Sequence, residues 1–236
     1  MRNTLSCRIE MMRAMSDFQK TKLEKLFLFF AASKNSKNDA SLDTDDFNEL
    51  KKKILQYTGW NKEFRTVQVS WWTLDTLFES LLEMSSNLYR GNECEYKNQG
   101  KVKLADWYRI WSAILAKMKG TCNLPIWVSG ISQLLFSVIN KSCSGSISVN
   151  ELYQFHVEFL KKTSLQTEEY KIKCRQAYDR ITDNDRHQFD ERTFAQLFAN
   201  FVVGREEFGP GKYIFDCYSE SLETRVHIIG LHSDSE

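Results

Sequence analysis

The sequence predicts an all-α protein of four helix–loop–helix units arranged as two paired lobes. Three observations predict it. Apolar residues recur at helical spacing along the chain. Only two prolines, Pro125 and Pro210, stand among 236 residues, so few positions break a helix. A polar loop with one apolar residue near its end also recurs four times, at Leu42, Val102, Ile147 and Phe189.

Leu23, Leu26, Phe27 and Phe30 repeat at i, i+3, i+4 and i+7 behind an N-cap at Ser16. Met15 is a candidate start of the folded part. Phe47, Leu50 and Ile54 open a second helix that stops near Gly59. Leu74, Phe78, Leu81 and Leu82 mark a third, and Trp107, Ile110, Trp111 and Ile114 a fourth. Pro125 is a boundary, and the helix after it carries Ile131, Leu134, Leu135 and Val138. Leu152, Phe155 and Phe159 make the sixth; Cys174, Ala177, Tyr178 and Ile181 the seventh; Phe194, Leu197, Phe198 and Phe201 the eighth. The organisation read from this is an extension (1–14), a first pair of units (15–118), a second pair (124–216) and a tail (217–236). Within each pair the loop apolar residues are expected to bridge, Leu42 with Val102 and Ile147 with Phe189.

Composition narrows the function. Thirty-two Lys+Arg balance 31 Asp+Glu, which gives no general pull towards nucleic acid or an anionic membrane. No run reaches the roughly 18 apolar residues of a spanning helix, and the start has no apolar signal core, so a cytoplasmic location is expected. The six cysteines are scattered with no C-x-x-C pair and read as free thiols. His156, His187, His227 and His232 form no metal or catalytic motif, and His156 reads as half-buried on its helix. The stretch GREEFGPGKY (204–213) has two glycines at phosphate-loop spacing, Gly204 and Gly209. Pro210 stands where the lysine is needed, so the match is accidental. No catalytic set emerges. A contact surface is a further possibility, at Met11, Met12 and Met15 or at Trp71–Trp72, with one of those tryptophans in the core and the other at the rim.

The loops carry the chemistry. Calcium wants six to eight oxygens, which an EF-hand loop supplies at alternating positions, with a glycine at the turn and a closing carboxylate. Loop three, NKSCSGSISVNE (140–151), fits that pattern. Asn140, Ser142, Ser144, the Ser146 carbonyl, Ser148 and Glu151 are the candidate metal ligands, and Gly145 makes the turn. Only Glu151 is anionic, so calcium binding at about millimolar or weaker is expected, on this loop alone. Loop two (95–106) has Gly100, Val102 and Asp106 in place, but Lys97 and Lys103 put ammonium groups at ligand positions. Loop one (35–46) has Lys37 at a ligand position and Ala40 at the turn, and its leading helix ends early. Loop four (182–193) has His187 at the turn and Thr193 at the close, with Asp183 and Asp185 out of register.

These motifs resemble the invertebrate sarcoplasmic calcium-binding proteins, and most closely their calexcitin-like branch. The matching pieces are MSDFQKTKLEKLFLFF (15–30), DDFNELKKKI (45–54), GW (59–60), GKVKLADWYRIW (100–111), LPIW (124–127), AYDRITDN (177–184) and GKYIFD (211–216), the last a short C-terminal closure. The resemblance implies a two-lobed protein with four EF-hands, of which loops one, two and three usually bind metal. Only loop three keeps the ligands residue by residue. The expected role is an intracellular sensor or adaptor. The resemblance also brings in a juvenile hormone diol kinase-like enzyme as an alternative. A metal-independent scaffold for a protein partner or a hydrophobic ligand is another, since 16 Phe and 6 Trp can hold the lobes by packing. The apolar RVHIIGL (225–231) of the tail could dock on a lobe or a partner.

Overall fold

In the computed structural model, residues 15–31, 41–89, 100–117, 124–161, 167–205 and 209–216 are described. Helix α1 (Asp17–Phe30) begins as expected at Ser16. Its hydroxyl accepts from the Gln19 amide, and the Gln19 side chain accepts from the Ser16 amide. Met15 is already buried, while Met11 and Met12 lie outside the described residues. α1 stops at Phe30, short of Asn35, as the early ending in the sequence suggests. Helix α2 (Thr44–Thr58) ends on Gly59, which takes the left-handed φ of 70° that a side chain would resist. Helix α3 (Arg65–Leu88) begins well before Leu74, because Val67 and Ser70 extend its buried stripe. Helices α4 (Leu104–Lys117) and α5 (Ile126–Ile139) come next, the latter directly after Pro125. Helix α6 (Val149–Gln154) runs on into a π turn, Phe155–Phe159, whose wider winding turns Phe155, His156, Val157 and Phe159 all inward. Helices α7 (Glu168–Thr182) and α8 (Glu191–Val203) and a 3-10 turn (Pro210–Ile214) complete the described chain.

The two loop bridges form with the expected partners. Strand β1 (Ser41–Leu42) pairs antiparallel with β2 (Val102–Lys103), with Leu42 opposite Val102. In the second pair the Ile147 amide donates to the Phe189 carbonyl at 2.9 Å, beside a bridge between Ser146 and Asp190. The chain parts into two compact units, Met1–Gly130 and Ile131–Glu236, so the division falls inside α5. The start of α5 is tied to the first unit by Trp127, whose ring meets Trp111 at 5.4 Å. Gly130 reinforces this by lying so close to Thr73 that a Cβ would come within 2.7 Å of its methyl.

Each unit has an aromatic core. In the first, Trp107 packs edge-on to Phe27 at 5.6 Å and to Trp111 at 5.6 Å, and its indole N–H donates to the Leu23 carbonyl. In the second, Phe155, Phe159, Phe189, Phe194, Phe198 and Phe201 are fully buried. The C-terminal turn is sewn into this unit. The Arg180 guanidinium donates to the Tyr213 hydroxyl at 2.7 Å, and His156 Nε2 donates to the Ile214 carbonyl at 2.9 Å.

Two expectations from the sequence are corrected by the fold. His156 is wholly buried rather than half-buried, because the π turn rotates it under the C-terminal turn and against the Tyr170 hydroxyl at 3.1 Å. Neither member of the Trp71–Trp72 pair is a core residue: Trp72 is 67% exposed and Trp71 half-buried, because the stripe of α3 runs through Val67, Ser70 and Leu74. Gly204 caps α8, and Gly209 and Gly211 belong to the turn packed on that helix, with Lys212 buried beside the Tyr213 ring. No helix among the described residues is long and apolar enough to cross a membrane.

Candidate metal centre

The loops share one local frame. The ninth and twelfth loop positions are the N-cap and the third residue of the exit helix. At Asp43–Asp46 the two carboxylates exchange bonds with each other's backbone amides at 3.0 and 3.2 Å. Ser148–Glu151 repeats the arrangement, and at Asp190 the carboxylate accepts from the Thr193 amide at 2.8 Å. Such a box satisfies helix amides that nothing else reaches, so these residues stabilise the exit helix whether or not a cation is present. The spacing of the capping box is present in the sequence at 43–46 and 148–151. It coincides there with the ninth and twelfth ligand positions, so the metal pattern masks it.

Loop three is the complete oxygen set. Gly145 supplies the turn at φ 87°. Glu151 Oε1 accepts from the Ser142 amide at 3.1 Å and the Ser142 hydroxyl at 2.7 Å. Glu151 Oε2 accepts from the Ser148 amide and hydroxyl, both at 2.8 Å. Asn140 Oδ1 accepts from the Ser142 hydroxyl at 3.4 Å and the Ser144 hydroxyl at 3.1 Å, and the Ser144 hydroxyl lies 2.8 Å from the Ser146 carbonyl. All six candidates are therefore linked to one another through hydrogen bonds. The donor set is all oxygen, as calcium requires. The charge fits calcium poorly, since one carboxylate faces a divalent ion. Among the described residues no group of three or more His, Cys, Asp or Glu is placed to hold a metal.

Burial pushes the Glu151 carboxyl up, but the bonds from Ser148 and Ser142 outweigh it and hold the group below its ordinary value of 4.5. A depressed carboxyl stabilises the fold fully above its unfolded value. That stabilisation is lost as pH falls through the lowered one. Glu151→Gln is accordingly expected to lower the melting temperature at pH 7 and to flatten the fall in stability below pH 4.5. Parallel melts of wild type and variant between about pH 7 and pH 3 check this; acid limbs of equal steepness would refute it.

The other loops are spent on protein contacts. Asp106, the closing residue of loop two, is buried and faces its own helices. It accepts from the Tyr89 hydroxyl at 2.6 Å, from Arg109 at 3.1 Å and from the Ser85 hydroxyl at 3.4 Å. Burial first, and the bond to Asp106 second, push the Tyr89 hydroxyl up. This cluster has no sequence signal, because Ser85 and Tyr89 come from α3 and its C-cap. Lys101 reaches Asp43 of loop one at 3.7 Å, across the bridge. Loop one is described only from Ser41 onward, so Asn35, Lys37, Asp39 and Ala40 lie outside the described residues, as do Glu95, Lys97 and Gln99 of loop two. In loop four the turn is not at His187. Asp183, Asn184 and Asp185 take positive φ instead, which short polar side chains tolerate. Arg186 pairs with Asp183 and Arg175 with Asp185, and the Thr193 hydroxyl donates to the Gln188 carbonyl.

Helix–loop–helix units joined two by two through loop bridges define an EF-hand protein. No family model matches the chain. Sarcoplasmic calcium-binding proteins I, III and IV of Branchiostoma lanceolatum are 23% identical to it over 195 residues, 80% of this chain and 91% of theirs. Proteins II, V, VI and VII of that organism are 22% identical over the same extent. The solved structure of the amphioxus sarcoplasmic calcium-binding protein superposes with a TM-score of 0.64 at 19% identity, covering 86% of this chain and 98% of that one. The chain has the EF-hand fold, and over most of its length it is similar to sarcoplasmic calcium-binding proteins.

Proposed function

We propose that the protein is an intracellular EF-hand sensor or adaptor whose loops keep their folded form through their own hydrogen bonds, and that it binds calcium weakly and at loop three only. The observation that carries this reading is Glu151. Both of its oxygens already accept bonds from Ser142 and Ser148, so a cation must displace those protons with a single anionic ligand to hold it. Buffering fits poorly: Lys103 stands at a ligand position of loop two, and Asp106 is taken by Tyr89 and Arg109. The ligands are then Asn140, Ser142, Ser144, the Ser146 carbonyl, Ser148 and Glu151. The finer placement in the calexcitin-like branch rests on motifs such as MSDFQKTKLEKLFLFF and GKVKLADWYRIW, with first and second pairs at 15–118 and 124–216.

Calorimetric titration of calcium into the metal-stripped protein, repeated in excess magnesium, tests the reading. One weak site is expected, lost in Glu151→Gln. Affinity unchanged in that variant would sink the site assignment, and several tight sites would restore the buffer role.

A further inference from the structure

In a hand that answers to calcium, the closing carboxylate binds the ion, and the angle between the two helices changes with occupancy. We propose that the second hand of this chain is barred from that change: Arg109 and Tyr89 form a built-in latch on Asp106, which makes the first unit a fixed module and confines any response to calcium to the second. This goes beyond the reading of loop three and does not depend on it. The latch is a set of bonds across the hand. Ser85 and Tyr89 stand one turn apart at the end of α3, which leads into loop two, and Asp106 stands in the first turn of α4, which leads out. Asp106 Oδ1 accepts from the Tyr89 hydroxyl at 2.6 Å and from Arg109 at 3.1 Å, while Oδ2 accepts from the Ser85 hydroxyl at 3.4 Å. Arg109 also donates to the Tyr89 hydroxyl at 2.7 Å, and its guanidinium lies over the Tyr89 ring at 5.7 Å. Carboxylate, phenol and guanidinium thus close a triangle in which each bonds to the other two.

Charge makes the latch permanent. A buried carboxylate needs a counter-charge, which calcium supplies in a loaded loop. Asp106 is 1% exposed, and its counter-charge is the guanidinium three residues on in its own helix. A cation arriving at loop two would have to take Asp106 from that guanidinium. It would also meet Lys103 at a ligand position. Glu151 of loop three differs, because its partners Ser142 and Ser148 are neutral donors of its own loop. Movement at Asp106 is opposed from the core side too. Trp107 follows it directly, and that ring packs on Phe27 and Trp111.

Tryptophan emission from the full chain tests this. Trp60, Trp71, Trp72, Trp107, Trp111 and Trp127 are all the tryptophans of the chain and all belong to the first unit, so their emission reports that unit alone. Calcium up to about 10 mM, at constant ionic strength, is expected to leave the wild-type emission unchanged. Urea unfolding followed by the same emission reads the latch. Arg109→Gln leaves Asp106 buried without its counter-charge. Since the Arg109 side chain is 43% exposed, the unfolding equilibrium constant of the first unit is expected to rise only about tenfold. Adding Asp106→Asn removes the stranded charge and should bring the constant back to within about threefold of wild type. A calcium-dependent change in the wild-type emission would overturn the fixed module. An unchanged unfolding constant in Arg109→Gln, or losses that simply add in the double variant, would overturn the latch. Neither result touches the reading of loop three, whose calcium heat is measured separately and compared with Glu151→Gln.

Discussion

Trp107→Ala is expected to cost about 3–5 kcal/mol, the range for deleting a fully buried aromatic. The indole has no exposed surface and touches three other rings: Phe27 and Trp111 at 5.6 Å and Phe30 at 6.1 Å. It sits on the residue directly after Asp106, so it anchors the start of α4 against α1 through the bond to the Leu23 carbonyl. Alanine removes the ring contacts, that bond and a volume that the surrounding side chains cannot close. Trp72→Ala is the matched control. That ring is 67% exposed, and its loss should stay within about 0.5 kcal/mol. Urea unfolding followed by circular dichroism compares the two. Similar losses from both would mean that Trp107 is not the centre of the first core.

Gly211→Ala is the second large effect. A methyl at Gly211 would lie 2.2 Å from the Phe201 amide nitrogen, 2.4 Å from its Cα and 2.8 Å from the Leu197 carbonyl oxygen. These are atoms of the α8 backbone, which cannot turn aside as a side chain can. The 3-10 turn must lift instead, and Tyr213, Ile214 and Phe215 would lose their burial with it. A loss of about 3 kcal/mol, the upper end for overpacking, is expected. Gly209→Ala meets nothing within 4 Å and has an ordinary φ of −70°, so it should be neutral within about 0.5 kcal/mol. Thermal melts of both variants beside wild type decide it. Wild-type stability in Gly211→Ala would show that the turn does not rest on α8 in solution.

Much of this architecture is legible in the sequence because it is periodic. The stripes at Leu23–Phe30 and Phe194–Phe201 are local patterns, and each falls on a helix. The loop bridges are legible for a related reason. One apolar residue in a polar loop has to be covered, and the partner loop of the pair offers the matching residue, as Leu42 and Val102 do. Position alone misleads at His156 and at Trp71, because depth within a helix depends on the exact rotation of that helix. A π turn in one case, and a stripe through Val67 and Leu74 in the other, set that rotation. In loop four the pattern puts the turn at His187, whereas three consecutive short polar residues take the left-handed conformation earlier.

The sequence by itself determined the class of fold, the frame of each loop and the charge poverty of loop three, since these depend on residue types at short spacings. It also determined that Lys103 stands where a ligand should. Only the tertiary structure decided what the surviving acids do. Asp106 could have faced a cation; Ser85 and Tyr89, brought in from α3 and its C-cap, and Arg109 claim it instead. Glu151 kept its place at the close of loop three, yet its oxygens lie on Ser142 and Ser148. A carboxylate bonds to the donors that the folded chain brings to it; those of Glu151 come from its own loop, whereas Ser85 and Tyr89 reach Asp106 from a segment whose approach no local pattern records.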